Sequence, residues 1–351
     1  VDRRTFLAGV TATLAAGCIP VGTDYGPLVA SAVPGLWIPR GFTARKVATS
    51  WERVAGYTWH GHPDGGACFE AGDQWVYVSN SEADAGQGGV SALRFDRAGA
   101  TVGAYRILSG TSRNCAGGRY WLGARWWWVS CEETDRGQAW LCDPLRASQG
   151  SVLPWGRFRR EAVAHHLPTN TVYQSEDEPD GCLYRWDVAA AHLEVLTTGG
   201  QWKVVPDPEA TTTATRYQVP DARRFNGGEG IAVAGDLVLL CAKGDGRTWR
   251  YNIATGLLDV VYDPQTSPGA RHLATGDNLV ATTTSAFVAE DGGNMEIVGL
   301  NLKTGATTPV VRYDCAGSEM TGPSFSPDRR HLLFSSQRKP GVTFMVTGPW
   351  T

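Results

Sequence analysis

The sequence is poor in charge, and above all in lysine. Asp, Glu, Lys and Arg make up 19% of its 351 residues, and the 32 basic residues divide into 27 Arg and 5 Lys. Acids and bases nearly cancel, at a net charge of −3, so there is no general basic excess for a nucleic-acid backbone. Several chemical signatures are missing too. No CxxC pair marks a structural zinc site. No HExxH marks a zinc hydrolase, no GxSxG elbow a serine nucleophile, and no Walker loop or GxGxxG turn a nucleotide cradle. The seven His do not supply metal spacing: His165 and His166 are adjacent and point to opposite faces of any strand. Between Gly41 and Thr351 nothing reads as a long amphipathic helix.

What is present points to an all-β chain. Glycine (43) and tryptophan (14) are abundant, and 42% hydrophobic residues are enough to bury a core. One phrase recurs six times: an apolar strand, a polar turn, then a second aromatic-rich strand. Its first strands are Trp75-Val76-Tyr77-Val78, Trp126-Trp127-Trp128-Val129, Thr171-Val172-Tyr173, Leu237-Val238-Leu239-Leu240, Ala286-Phe287-Val288 and Leu332-Leu333-Phe334. A repeat of this size with period-two alternation predicts the middle strands of propeller blades. The expected architecture is a six-bladed β-propeller, a single domain over residues 36–351. Residues 1–35 read as an export leader and linker. Arg3-Arg4 ahead of a short apolar run resembles a twin-arginine signal, and Leu14-Ala15-Ala16-Gly17-Cys18 resembles a lipobox. The run is far below the ~20 residues that span a bilayer. The expected setting is therefore outside the cytoplasm, with the twin-arginine machinery as a partner, any membrane contact through a lipid on Cys18, and a monomeric chain. Beyond Cys18 stand seven cysteines, an odd number whose pairing the sequence does not define.

Acids fall at matching places in the repeats. After the second strands stand Glu82, Glu132 and Glu133, Glu176 to Glu178, Asp245, and Glu290 with Asp291, with Gln337 in the sixth repeat. At the starts of innermost strands stand Cys115, Glu161, Glu229, Asp277 and Glu319. Antiparallel succession brings both sets to one face of the disc. Like charges gathered there raise one another's pKa values, and multivalent cations relieve this most directly. Oxygen ligands suit calcium, while a thiolate among carboxylates suits iron or another transition metal. Cys115 is the thiolate candidate, with an inert buried Cys or half a disulfide as the other reading.

These motifs together resemble the PhoX family of exported alkaline phosphatases and its shorter relatives. The resemblance runs through Ser112-Arg113-Asn114-Cys115-Ala116-Gly117-Gly118, Ser130-Cys131-Glu132-Glu133, Arg160-Glu161-Ala162-Val163, Glu176-Asp177-Glu178-Pro179-Asp180-Gly181, Phe225-Asn226-Gly227-Gly228-Glu229-Gly230, Lys243-Gly244-Asp245, Gly276-Asp277-Asn278-Leu279, Glu290-Asp291-Gly292-Gly293 and Ser318-Glu319-Met320-Thr321-Gly322-Pro323. It implies a mouth holding iron and calcium ions that hydrolyses phosphate monoesters. Carried over by motif, Cys115, Glu178 and Glu229 are expected around iron, and Glu133, Glu161, Asp277 and Glu319 around calcium. Where the family has a phosphate-binding Arg two residues before the Glu matched by Glu229, this chain has Gly227. Arg113, Lys243 or Arg338 could take that role, and Arg113, Asn114 and Lys243 stand as the candidate catalytic side chains. The chain is also much shorter than the characterised phosphatases. Two other readings remain: a calcium-dependent, lactonase-like propeller hydrolase, and a non-catalytic exported propeller stabilised by metal.

Overall fold

The middle strands predicted from the repeats are apolar on both faces, because each is sandwiched between neighbouring blades. Gln74–Ser81 and Gly88–Phe95 are buried almost throughout, as expected of strands covered on both sides. The computed structural model describes residues 23–84, 86–147 and 149–350; Arg3-Arg4 and Cys18 lie outside them. The described residues form a six-bladed β-propeller, with each blade a twisted antiparallel sheet.

Blade I comprises Pro63–Ala71, Gln74–Ser81, Gly88–Phe95 and Thr101–Thr111. Blade II runs from Gly118–Leu122 through Arg125–Cys131 and Ala139–Cys142 to Ser151–Leu153. Blade III begins with Arg160–His166 and Thr171–Glu176 and carries a fifth strand, Trp202–Val204. Blade IV starts with Gly228–Ala234 and Leu237–Ala242. Blade V starts with Gly276–Ala281 and Ser285–Glu290, and Leu36–Pro39 and Leu28–Ala30 extend its outer edge. Blade VI takes Met320–Phe325, His331–Ser336 and Val342–Thr347 from the end of the chain. Its outer strand, Thr43–Thr49, comes from near the beginning. This shared blade closes the ring and leaves no open junction between first and last blades.

Six apolar clusters fill the six interfaces between consecutive blades. Between VI and I, for example, Val47, Leu333 and Met345 pack on Trp59, Trp75, Tyr77 and Phe95. The seven described cysteines are all unpaired and six are buried; most serve as small apolar fillers, with burial pushing thiols such as Cys131 and Cys241 up to about 12.

The inner strands share an irregularity that matters for function. In blades I, III, IV and V a register shift sets two residues of the inner strand against one of its neighbour, at Asp64-Gly65, Glu161-Ala162, Glu229-Gly230 and Asp277-Asn278. Such bulges re-aim a side chain that a regular strand would turn towards the next blade. In each of the four, the re-aimed residue is an acid. Glycines stand where neighbouring inner strands nearly touch at this level. A Cβ on Gly65 would come 2.0 Å from the Ala116 carbonyl oxygen, and one on Gly118 would come 1.9 Å from that of Val163. Both obstacles are backbone, so neither yields easily. Gly118→Ala is therefore expected to lower folding stability by about 1–3 kcal/mol, read as a shift in urea midpoint. An unchanged midpoint would mean that blades II and III are not held this closely.

Candidate metal centre at the propeller mouth

Sixfold equivalence is visible in one recurring hydrogen bond at the mouth. The first residue beyond the second strand, or in blade II the second, donates its N–H to a carbonyl ahead of the inner strand. The pairs are Glu82 to His62, Glu133 to Arg113, Asp177 to Arg159, Lys243 to Gly227, Asp291 to Thr275 and Gln337 to Glu319. Three positions per blade thereby face the axis. The deepest, two residues past the accepting carbonyl, holds Asp64, Cys115, Glu161, Glu229 and Asp277, with Thr321 in blade VI.

Asp64, Glu82, Cys115, Glu133, Glu161, Glu229, Asp277 and Glu319 form four overlapping sets: Asp64–Cys115–Glu161, Glu82–Cys115–Glu133, Asp64–Glu82–Glu319 and Glu161–Glu229–Asp277. Within each set the ligand atoms lie within 4.8 Å of one another. The segments that carry them are tied together across blades. Gly117 and Ala162 bridge the inner strands of blades II and III, with Gly117 N donating to the Glu161 carbonyl at 3.1 Å. Asn80 Nδ2 donates to the Cys115 carbonyl.

Confinement raises the pKa values of Asp64, Glu133, Glu161, Glu229, Asp277 and Glu319. Burial, then the charge of Glu82, pushes Asp64 up to about 7. Burial, opposed by Arg113 and reinforced by Asp177, takes Glu133 to about 7. Burial and Asp64, opposed by Arg338, take Glu319 to about 8. Glu161, Glu229 and Asp277 are raised further by burial and by their acidic neighbours, and the Cys115 thiol rises with them. A basic rim offsets part of this charge. Arg113 lies 2.8 Å from Glu82 and 2.7 Å from Glu133. Arg338 lies 3.0 Å from Glu319, and Lys243 lies 2.5 Å from Glu229 and 2.8 Å from Asp177.

The rim leaves buried acceptors unserved. Glu161 Oε2 and Gln337 Oε1 have no hydrogen-bond partner, although both residues are about 1% exposed. An orphaned carboxylate oxygen at the centre of an acid ring is costly unless a cation meets it. The donor set of carboxylates, one amide oxygen and one thiol fits metal cations. Beyond the ring the axis opens into a cavity of about 840 Å³, lined by residues such as Ala67, Ala164, Val233 and Ala281 and by none of the clustered acids.

Six of the seven ligands expected from sequence meet in these sets. Glu178 does not. It turns to Arg159 at 3.4 Å and Arg216 at 3.5 Å, and no set includes it. Asn114 does not reach the centre either. Its Oδ1 accepts from Thr111 and its Nδ2 donates to Ser130, so it positions the segment carrying Cys115. Arg113 and Lys243 do lie on the rim. Glu319 is not at the start of its inner strand as expected from the repeat. It occupies the position that Arg113 and Arg159 hold in blades II and III. Asp245 was placed at the mouth by sequence, but Lys243 stands there and Asp245 caps the Arg247 N–H at 3.1 Å. Glu132, Glu176 and Glu290, the last two buried, are pins whose carboxylates accept backbone N–H groups from Gln138, Cys182 and Glu296. Asp64 is not among the acids expected at the mouth, although the sixfold pattern has one empty place and Pro63-Asp64-Gly65-Gly66 fills it.

No family model matches the chain, and no curated protein does so. Among solved structures it is similar to a gluconolactonase from Xanthomonas campestris, with a TM-score of 0.55 and 12% identity. The match covers 92% of this chain and 98% of that one. At this identity the likeness shows a shared propeller fold.

The pKa shifts carry a sign. Carboxyls raised in the folded chain hold protons that the unfolded chain has released. Their contribution to stability is complete below about pH 4 and is lost as pH climbs through 7 to 8. Without divalent cations, the melting temperature is expected to fall between pH 5 and 8.5. Millimolar Ca²⁺ should restore it at the upper end. Melting indifferent to both variables would show that the basic rim alone neutralises the acids.

Proposed function

We propose that the protein is a metal-dependent hydrolase of phosphate monoesters, with its reaction centre at the acidic mouth. The observation that carries this reading is the overlap of the four ligand sets, which share Asp64, Glu82, Cys115 and Glu161. Shared ligands at this spacing suit several neighbouring cations rather than one. Oxygen-only sets such as Glu161–Glu229–Asp277 suit calcium, and the two sets containing Cys115 suit iron or another transition metal. Bound cations would withdraw charge from phosphoryl oxygens and supply an activated oxygen nucleophile. The chain's own part is to hold those cations apart at fixed distances by bulged strands, to keep Cys115 and Glu161 out of bulk water, and to present rim cations to an anion. The resemblance to the PhoX family supports the same reading.

A second reading is lactone hydrolysis, favoured by the fold likeness to a gluconolactonase. It needs only one cation, which the Glu161–Glu229–Asp277 set could hold.

Elemental analysis and two substrates separate the readings. The purified full chain is expected to carry calcium and a transition metal, and Cys115→Ser to lose the latter while retaining calcium. Cleavage of an aryl phosphate should fall about 100-fold or more in Glu161→Gln. Calcium alone, with turnover of a sugar lactone and none of the aryl phosphate, would overturn the first reading in favour of the second.

A further inference from the structure

Lys243 is out of character at its position. In blades I, II, III and V the equivalent residue is Glu82, Glu133, Asp177 or Asp291, and in blade VI it is the amide Gln337. Here alone among the six a cation points into the mouth. We infer that Lys243 is the anion-binding residue of the centre, lodged on Glu229 as a surrogate cation and turned outward when a metal ion takes that carboxylate. The inference rests on the metal-dependent reading above.

The geometry sets up the competition. Lys243 Nζ lies 2.5 Å from Glu229 Oε1, and Glu229 belongs to the Glu161–Glu229–Asp277 set. An ammonium and a metal ion cannot share that oxygen without strong repulsion. The second tether, 2.8 Å to Asp177 Oδ2, differs in kind, because Asp177 belongs to none of the four sets. A metal ion therefore removes one partner and leaves the other. The ammonium stays at the mouth, 37% exposed by side chain, with donor capacity free for an anionic oxygen. Lysine suits this role as a flexible point charge with three rotatable donors. Arg113 differs: the two carboxylates that bond its guanidinium, Glu82 and Glu133, both belong to the ligand sets, so metal ions there leave it neither of them.

Gly227 makes room for the arrangement. It adopts φ +69°, and a Cβ there would come 2.9 Å from Lys243 Cγ. Any other residue at 227 would press on the lysine stem that crosses it.

The test is calorimetric titration of the full chain with Ca²⁺, then of the loaded protein with inorganic phosphate. Lys243→Met should bind Ca²⁺ about tenfold tighter than wild type, because the competitor is gone. Once loaded, it should bind phosphate about tenfold more weakly. Lys243→Arg should restore phosphate binding. In a Glu229→Gln background the Ca²⁺ gain from Lys243→Met should vanish, which distinguishes direct competition from a general loss of positive charge. Opposite signs for the two ligands are not expected of a merely structural lysine. Weaker Ca²⁺ binding in Lys243→Met, or phosphate affinity equal to wild type, overturns the inference while leaving the metal centre standing. A wild-type chain that takes up neither Ca²⁺ nor a transition metal overturns both.

Discussion

Repulsion among acids on a closed axis is the constraint on which this structure turns. A propeller brings one strand from every blade to the same line, so whatever a blade places at its inner start is placed beside its five counterparts. Here Asp64, Glu161, Glu229 and Asp277 are turned inward by bulges, and Cys115 sits in the corresponding place of blade II. Such an arrangement is expensive without compensation. It persists because the six apolar interfaces between blades hold the backbone there regardless. Stability made in the interfaces between blades sustains strain at the centre, a common division between scaffold and site.

The basic rim is a partial answer to that strain. Arg113, Arg338 and Lys243 each reach carboxylates at the mouth, yet Glu161 Oε2 remains without a partner. Of the three, only Lys243 reaches one of the deepest acids, Glu229, and none reaches Glu161. A small multivalent ion can. This difference in reach, rather than any net charge, makes the mouth a place for metal.

The repeats were legible in the sequence because burial between blades forces apolar, aromatic residues into both middle strands, whatever else varies. The acids were legible as a group for a related reason, since they recur at fixed offsets from those strands. Individual registers were less so. Asp245 lies only two residues from the true mouth position, and the Gly-Asp-Gly run around it offered no way to tell a turn cap from a mouth residue. Glu319 stands three residues before the register shift of its blade at Gly322-Pro323, whereas blades I, III, IV and V have the acid within theirs. Glu132 and Glu133 are neighbours with opposite fates, one pinning a loop and one facing the axis. Glu178 and Asn114 carried weight through family motifs, and neither side chain reaches the ring in this chain. Fixing such details needs the hydrogen-bond pattern of the closed disc.

Closure of the disc by Thr43–Thr49 also has a bearing on biosynthesis. The Asp64–Glu82–Glu319 set joins the first blade to the last, and blade VI awaits residues up to Thr347 before its strands can pair. A chain emerging from the ribosome therefore has its early acids long before it has a centre. During that interval Asp64 and Glu82 lack the geometry to retain an ion. The set that joins blade I to blade VI is thus the last of the four to be completed.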